Sequence, residues 1–129
     1  MKENFWKRLP RPIFSLAPME DVSDTSFRQL VMEISDPAFF HVIFTEFTST
    51  DGLCHPVGCK NVISRLLVND TEREVLKNKG FKIVAQIWGA DPEKFYQATK
   101  LICTEMQFDG IDINMGCPVK KIVKCKFLF

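Results

Sequence analysis

The chain has one tyrosine against twelve phenylalanines, two histidines and no long hydrophobic run. So many phenyl rings with so few polar aromatic handles point to much buried surface. Its apolar stretches, such as Phe39-Phe40 with Val42-Ile43-Phe44, fall far short of the ~20 residues a membrane-spanning helix needs. The start, Met1 to Trp6, carries charges without an apolar secretory stretch behind them, so the expected address is the cytoplasm. The five cysteines, Cys54, Cys59, Cys103, Cys117 and Cys125, form no regular framework, and an odd number leaves one unpaired in any disulfide scheme. Reduced thiols are the better reading. Cys54, His55 and Cys59 match no standard zinc spacing, and no metal site is expected.

What is present suits one globular core. The chain has 129 residues, 46% of them hydrophobic and 26% charged, a balance that excludes a disordered polyelectrolyte. The net charge of +1 is unevenly spread. Residues 1–12 hold four basic residues and one acid, and residues 115–129 hold four lysines and no acid. The segment between holds nine basic and fifteen acidic residues, a balance of −6, so it is not a general polyanion-binding surface. The terminal lysines could meet phosphate, but a solvated tail is the commoner use of such a cluster.

Strand and helix signals alternate along the chain. Ile13 to Ala17, stopped by Pro18, reads as a first strand. Ser23 or Asp24 can cap a helix whose Phe27, Leu30, Val31 and Ile34 fall at i, i+3, i+4 and i+7, and Asp36-Pro37 ends it. His41 to Thr45 is a second strand. A helix around 56–66 and a short helical turn from Asp70, stopping before Gly80, fill the next segment. Lys82 to Trp88 is a third strand, and Asp91-Pro92 opens a helix with Phe95, Ala98, Ile102 and Met106 on one face. Gly110 to Ile113 is a fourth strand. This order predicts βαβ units and a parallel sheet, an α/β fold.

In such sheets ligands meet the residues at the carboxyl ends of the strands. Those positions are Pro18-Met19, Thr45-Glu46, Gln86 to Trp88 and Asn114 to Cys117. No G-x-G-x-x-G follows the first strand, which argues against a Rossmann dinucleotide site. Gly116 and Pro118 would hold the Cys117 thiol in a tight turn at the mouth of the sheet. With a reference pKa of about 8.5 the thiol is mostly protonated near neutral pH and can deliver a proton. His41 and His55 are predicted away from the strand ends, so neither is placed to make it a thiolate. Filling space in the turn is the alternative for this cysteine. Gln86 interrupts an apolar strand, and an unpaired buried amide costs about 1–3 kcal/mol, so a ligand partner is expected.

Four motifs now read together. Ala17-Pro-Met-Glu-Asp-Val-Ser-Asp-Thr-Ser-Phe-Arg28 resembles the opening motif of the tRNA-dihydrouridine synthases. Thr45-Glu-Phe is similar to that family's second-strand segment, and Val84 to Gly89 with Asp91-Pro-Glu93 to its third. Asp112-Ile-Asn-Met-Gly-Cys-Pro-Val-Lys-Lys121 closely resembles its cysteine motif. The resemblance covers residues 13 to about 124 and implies a (β/α)₈ TIM barrel that binds FMN at its carboxyl face, uses NADPH as reductant and acts on tRNA. It implies reduction of uridine to 5,6-dihydrouridine, with the base drawn out of its stack. Pro18, Met19 and Glu20 would lie against the flavin through their backbone, Gln86 would bond its ring, Asn114 would contact the uracil, and Cys117 would be the acid. Met19 could instead be core, Glu46 could bind substrate or pair with a base such as Arg28, and Asp112 could only brace the barrel. No obligatory protein partner is expected.

After Lys121 the pattern departs from the family, and Ile122 to Phe129 match neither its glycine- and alanine-rich loop nor its fifth strand. A complete barrel needs about 250 residues, so the expectation is about four βα units. That gives a basic segment at 1–12 and a partial FMN-binding barrel domain at 13–129, truncated after the fourth strand and inactive alone. Two alternatives remain: another FMN barrel, such as a dihydroorotate dehydrogenase-like enzyme, and a non-catalytic half-barrel that binds RNA or a partner.

Overall fold

The structure, a computed structural model, describes residues 4–116. All strand pairs are parallel. Strand β1 (Ser15–Leu16) pairs with β2 (Val42–Phe44), β2 with β4 (Lys82–Trp88), and β4 with β5 (Gly110–Ile113). These are the four expected strands. A further two-residue strand, β3 (Thr48–Ser49), was not legible in the sequence and also pairs with β4. Val84 pairs with both Phe44 and Gly110, and Ile87 with both Thr48 and Ile113, so β2 and β3 share one edge of β4 and β5 takes the other. Four residue steps from Phe44 to Thr48 face three from Val84 to Ile87. One extra residue is therefore accommodated at Thr45–Phe47, a bulge in the expected second strand. With helices between its parallel strands, the chain is α/β, the amino-terminal portion of a (β/α)₈ barrel.

Helix α1 (Thr25–Ile34) is capped by Asp24, whose carboxylate accepts from the Phe27 amide at 2.8 Å. Ser23, the other candidate cap, turns inward, accepting from the Met19 amide and donating to the Met19 carbonyl, both at 2.9 Å. The face α1 buries differs from the one its apolar spacing indicates. Arg28 and Met32 are buried, while Leu30 and Ile34 stand 55% and 78% exposed. Arg28, with no exposed surface, pairs with equally buried Glu72 on α4 (Asp70–Lys79), Nε to Oε1 at 2.7 Å and Nη2 to Oε2 at 2.8 Å. Of the apolar stripe, Phe27 and Val31 are half-buried beside Arg28 and Met32, so only its Leu30 and Ile34 edge stands outward. Lys79 ties the same two helices at their other end, donating to the carbonyls of Met32, Glu33 and Ser35.

The expected short turn at Asp70 is a ten-residue helix. Asn69 caps it by accepting from the Glu72 amide at 2.7 Å, and Gly80, at φ 77°, closes it in the left-handed conformation glycine tolerates. The expected helix at 56–66 is instead the short α3 (Cys59–Val62) and a 3-10 turn at Ile63–Leu66, with a separate helix α2 (Thr50–Cys54) before it. Pro56 disfavours a helical His55, which is extended, and the His55 ring accepts the amides of Val57 and Gly58 at Nδ1. Helix α5 (Pro92–Thr104) starts as expected, with Asp91 as cap and Pro92 in its first turn, and buries Ala98 and Ile102.

The core lies between sheet and helices, where Ile43, Ile83, Ala85 and Ile87 meet Met32, Leu76 and Ile102. On the opposite face Val42 and Val84 are also fully buried. A Cβ on Gly110 would lie 3.2 Å from the Phe5 ring and 3.8 Å from Val84. The turn at Phe5–Lys7 thus covers the amino end of this inner face.

Candidate functional site

Each loop that leaves the carboxyl end of a strand is tied to the next by side chains. After β1, the Met19–Ser23 loop carries Asp21 at φ 57°, and the Asp21 amide donates to Glu46 Oε1 at 2.7 Å. Glu46 sits in the bulge. A bulge lets the neighbours Thr45 and Glu46 both be buried where a regular strand would alternate them. Thr45 Oγ1 accepts from the Gln86 amide at 3.2 Å and donates to the Glu46 carbonyl at 2.9 Å. On β4, Gln86 Nε2 donates to Asp112 Oδ2 at 2.6 Å, and its Oε1 accepts from Asn114 Nδ2 at 3.2 Å. Asn114 donates its own amide to the Ile87 carbonyl at 2.9 Å and accepts from the Gly116 amide at 3.1 Å. A belt of hydrogen bonds thus runs from the loop after β1 to the turn after β5.

Gln86 is 7% exposed, yet its amide is not orphaned: Asp112 and Asn114 answer it from within the chain, so burial alone does not demand a ligand. One Nε2 proton and one Oε1 lone pair are not used by these two bonds. Asp112 accepts from that amide, so its carboxylate joins β5 to β4 by a side-chain bond. Glu46 does not pair with Arg28, whose partner is Glu72. Instead Arg28 donates from Nη1 to the Ser23 carbonyl at 2.7 Å and from Nη2 to the Leu67 carbonyl at 2.6 Å, anchoring the loop after β1 from beneath. Thr25 Oγ1 donates to Glu72 Oε2, so the buried carboxylate is shared by two donors from α1.

Pro18 and Met19 are half-buried and Glu20 is exposed. The Met19 amide and carbonyl are both engaged with Ser23, leaving this residue surface contact rather than hydrogen bonds to offer a ligand. Glu20 pairs with Arg65 at 2.7 Å, and the Arg65 guanidinium lies 6.0 Å from the Phe47 ring centroid. Cys117 lies outside the described residues; Gly116, the residue before it, ends the belt. Nothing in local sequence signalled the Glu46 and Asp21 contact. The Asn69-x-x-Glu72 spacing, by contrast, is a readable helix-start signal.

Other groups stand apart. A groove of about 670 Å³ is lined by Ile63, Leu66, Val68, Arg73 and Met106, on the helical side, and none of the belt residues touches it. Burial pushes the Cys54 thiol up, with the Lys94 ammonium pulling the other way. Among the described residues no three ligating side chains gather as a metal cluster, and no helix is long and apolar enough to cross a membrane.

Parallel strands, polar groups collected at their carboxyl ends and a proline–methionine loop over the first strand are the features of part of an α/β barrel. A sequence model of the family described as dihydrouridine synthase (Dus) matches residues 15–127, and the chain belongs to that family. It is 48% identical over 124 residues to a "Probable tRNA-dihydrouridine synthase" of Staphylococcus aureus (strain COL), covering 96% of this chain and 34% of the relative. It is 47% identical over 122 residues to "Probable tRNA-dihydrouridine synthase 2" of Bacillus subtilis (strain 168), covering 95% and 34%. The chain thus spans about a third of the length of the curated relatives it matches. No solved structure matches.

Proposed function

We propose that this chain carries the strand-end residues of a cytoplasmic, flavin-dependent enzyme that reduces uridine in tRNA to 5,6-dihydrouridine. The observation that supports this reading most is the belt itself: loops matching four motifs of one family meet at one end of one sheet. The donor set also suits a flavin ring, whose edge alternates donors and acceptors. Gln86 keeps one donor and one acceptor free for such an edge, and the Pro18-Met19 surface is open beside β1. Bound there, FMN would supply a hydride to C6 of the uracil, its electrons coming from NADPH.

The chain's own residues would do the rest. Asn114 retains one Nδ2 proton and one Oδ1 lone pair, the complement of the uracil edge. Cys117 would give the Sγ proton to C5, completing addition across the 5,6 double bond. Glu46, through Asp21, holds the loop that covers the ring site.

Replacing the matching segment of the Bacillus subtilis relative by residues 1–116 of this chain, with the relative's own residues from its cysteine onward, tests the assignment. In a strain lacking its own synthases the chimera should restore dihydrouridine to tRNA, read by mass spectrometry of nucleosides. A folded, yellow chimera that leaves every uridine unreduced would overturn it.

A further inference from the structure

Among the described residues two glutamates are buried, Glu46 and Glu72, and only Glu72 has a counter-charge. The Arg28 guanidinium meets Glu72 with two bonds. Glu46, 7% exposed, accepts the Asp21 amide at Oε1, and no described lysine, arginine or histidine pairs with it. Arg65 reaches the neighbouring Phe47 carbonyl at 3.3 Å, but Glu20 neutralises it at 2.7 Å. Oε2 of Glu46 takes no hydrogen bond from any described residue. Burying a charge without a counter-charge costs stability, and such groups gather where a ligand is handled.

The place of this charge in the sheet gives it a use. The strand order runs β1, β2, β4, so the end of β2 lies between the Pro18-Met19 surface and Gln86. Neighbouring strands stand about 4.8 Å apart, which separates β1 from β4 by about 10 Å, the span of a three-ring system. A flavin ring that touches both crosses the end of β2, where Glu46 sits. We propose that Glu46 sets the reducing strength of the bound flavin. Its uncompensated negative charge opposes the electrons that reduction loads onto the ring, and so favours their departure as hydride. The inference rests on the flavin-dependent reading above and gives Glu46 a second task within it. Holding the Asp21 loop needs only an acceptor oxygen, whereas setting the potential needs the charge.

Two substitutions in the chimera described above separate these tasks. Glu46→Gln keeps an oxygen for the Asp21 amide and removes the charge. Glu46→Asp keeps the charge and, one methylene shorter, releases the amide. The midpoint potential of the bound flavin, read spectroscopically against reference dyes, reports the charge. Nitrogen-15 NMR of the Asp21 amide, with labelled aspartate, reports the loop. Glu46→Gln should raise the potential by about 30 mV or more, tenfold in the two-electron equilibrium, with the Asp21 signal in place. Glu46→Asp should move the Asp21 signal and leave the potential near that of the unsubstituted chimera. An unchanged potential in Glu46→Gln, or a rise in Glu46→Asp as large as that in Glu46→Gln, overturns the proposal. A chimera that binds no flavin would remove the flavin-dependent reading and this inference with it. A yellow chimera whose potential ignores Glu46→Gln removes this inference alone, so the two failures are distinguishable.

Discussion

Two residues carry separate predictions, one chemical and one structural. In the chimera, alanine in place of the relative's cysteine that stands at the position of Cys117 should leave flavin reduction by NADPH nearly intact and slow uridine reduction by about 10²–10⁴-fold, the worth of a positioned acid. Stopped-flow traces of the two half-reactions measure this, and equal slowing of both would assign the cysteine to the fold or the flavin. Arg28 closes the opening motif, Ala17 to Arg28, and acts inside the protein. Its guanidinium meets Glu72, the Ser23 carbonyl and the Leu67 carbonyl with no exposed surface. Removing one partner strands a buried charge, so Arg28→Met should lower stability by about 3–5 kcal/mol. The double variant Arg28→Met with Glu72→Leu should recover much of that loss, because nothing charged is then left buried. Urea unfolding of the three proteins gives the comparison, and a double variant as unstable as the single would contradict it.

At the scale of elements, the join between β4 and α5 is limited by space. A Cβ on Gly89 would fall 2.0 Å from Thr50 Oγ1 and 3.2 Å from its Cβ. Thr50 is fully buried at the start of α2, and its hydroxyl has no partner among the described residues. Gly89→Ala should therefore force α2 and the β4 exit apart and cost about 1–3 kcal/mol, the usual scale of overpacking. Thr50→Ala in the same chain should return part of this, since it removes the closest atom. Thermal melts of the single and double variants decide the matter. If Gly89→Ala melts like the unsubstituted chain, this approach of helix and strand is looser than the geometry indicates.

Across the whole molecule, the proposed ring site lies at the carboxyl ends of five parallel strands. A flavin in a barrel is held largely by its phosphate, and such sites are commonly built from loops after strands seven and eight. On the proposed function, Pro18, Met19 and Gln86 would meet only the ring. Ring contact alone must offset the entropy of association. The 129-residue chain, mixed with excess FMN and passed through gel filtration, should accordingly emerge colourless. A yellow fraction with near-stoichiometric flavin would show that ring contacts suffice.

The sequence by itself determined the four main strands, the cap at Asp91, a first cap at Ser23 or Asp24, and the placing of Pro18, Glu46, Gln86 and Asn114 where strands end. These signals are local: an alternation, a proline or a capping side chain acts on residues a few positions away. Only the tertiary structure decided which partners those side chains take. Arg28 finds Glu72 across 44 positions and Gln86 finds Asp112 across 26, because sheet register and helix packing bring them together. The same packing left Leu30 and Ile34 of α1 exposed and put an extra residue into the second strand at Thr45–Phe47. A buried ion pair forms only when two helices are packed together, and a register shift appears only when two strands are laid side by side.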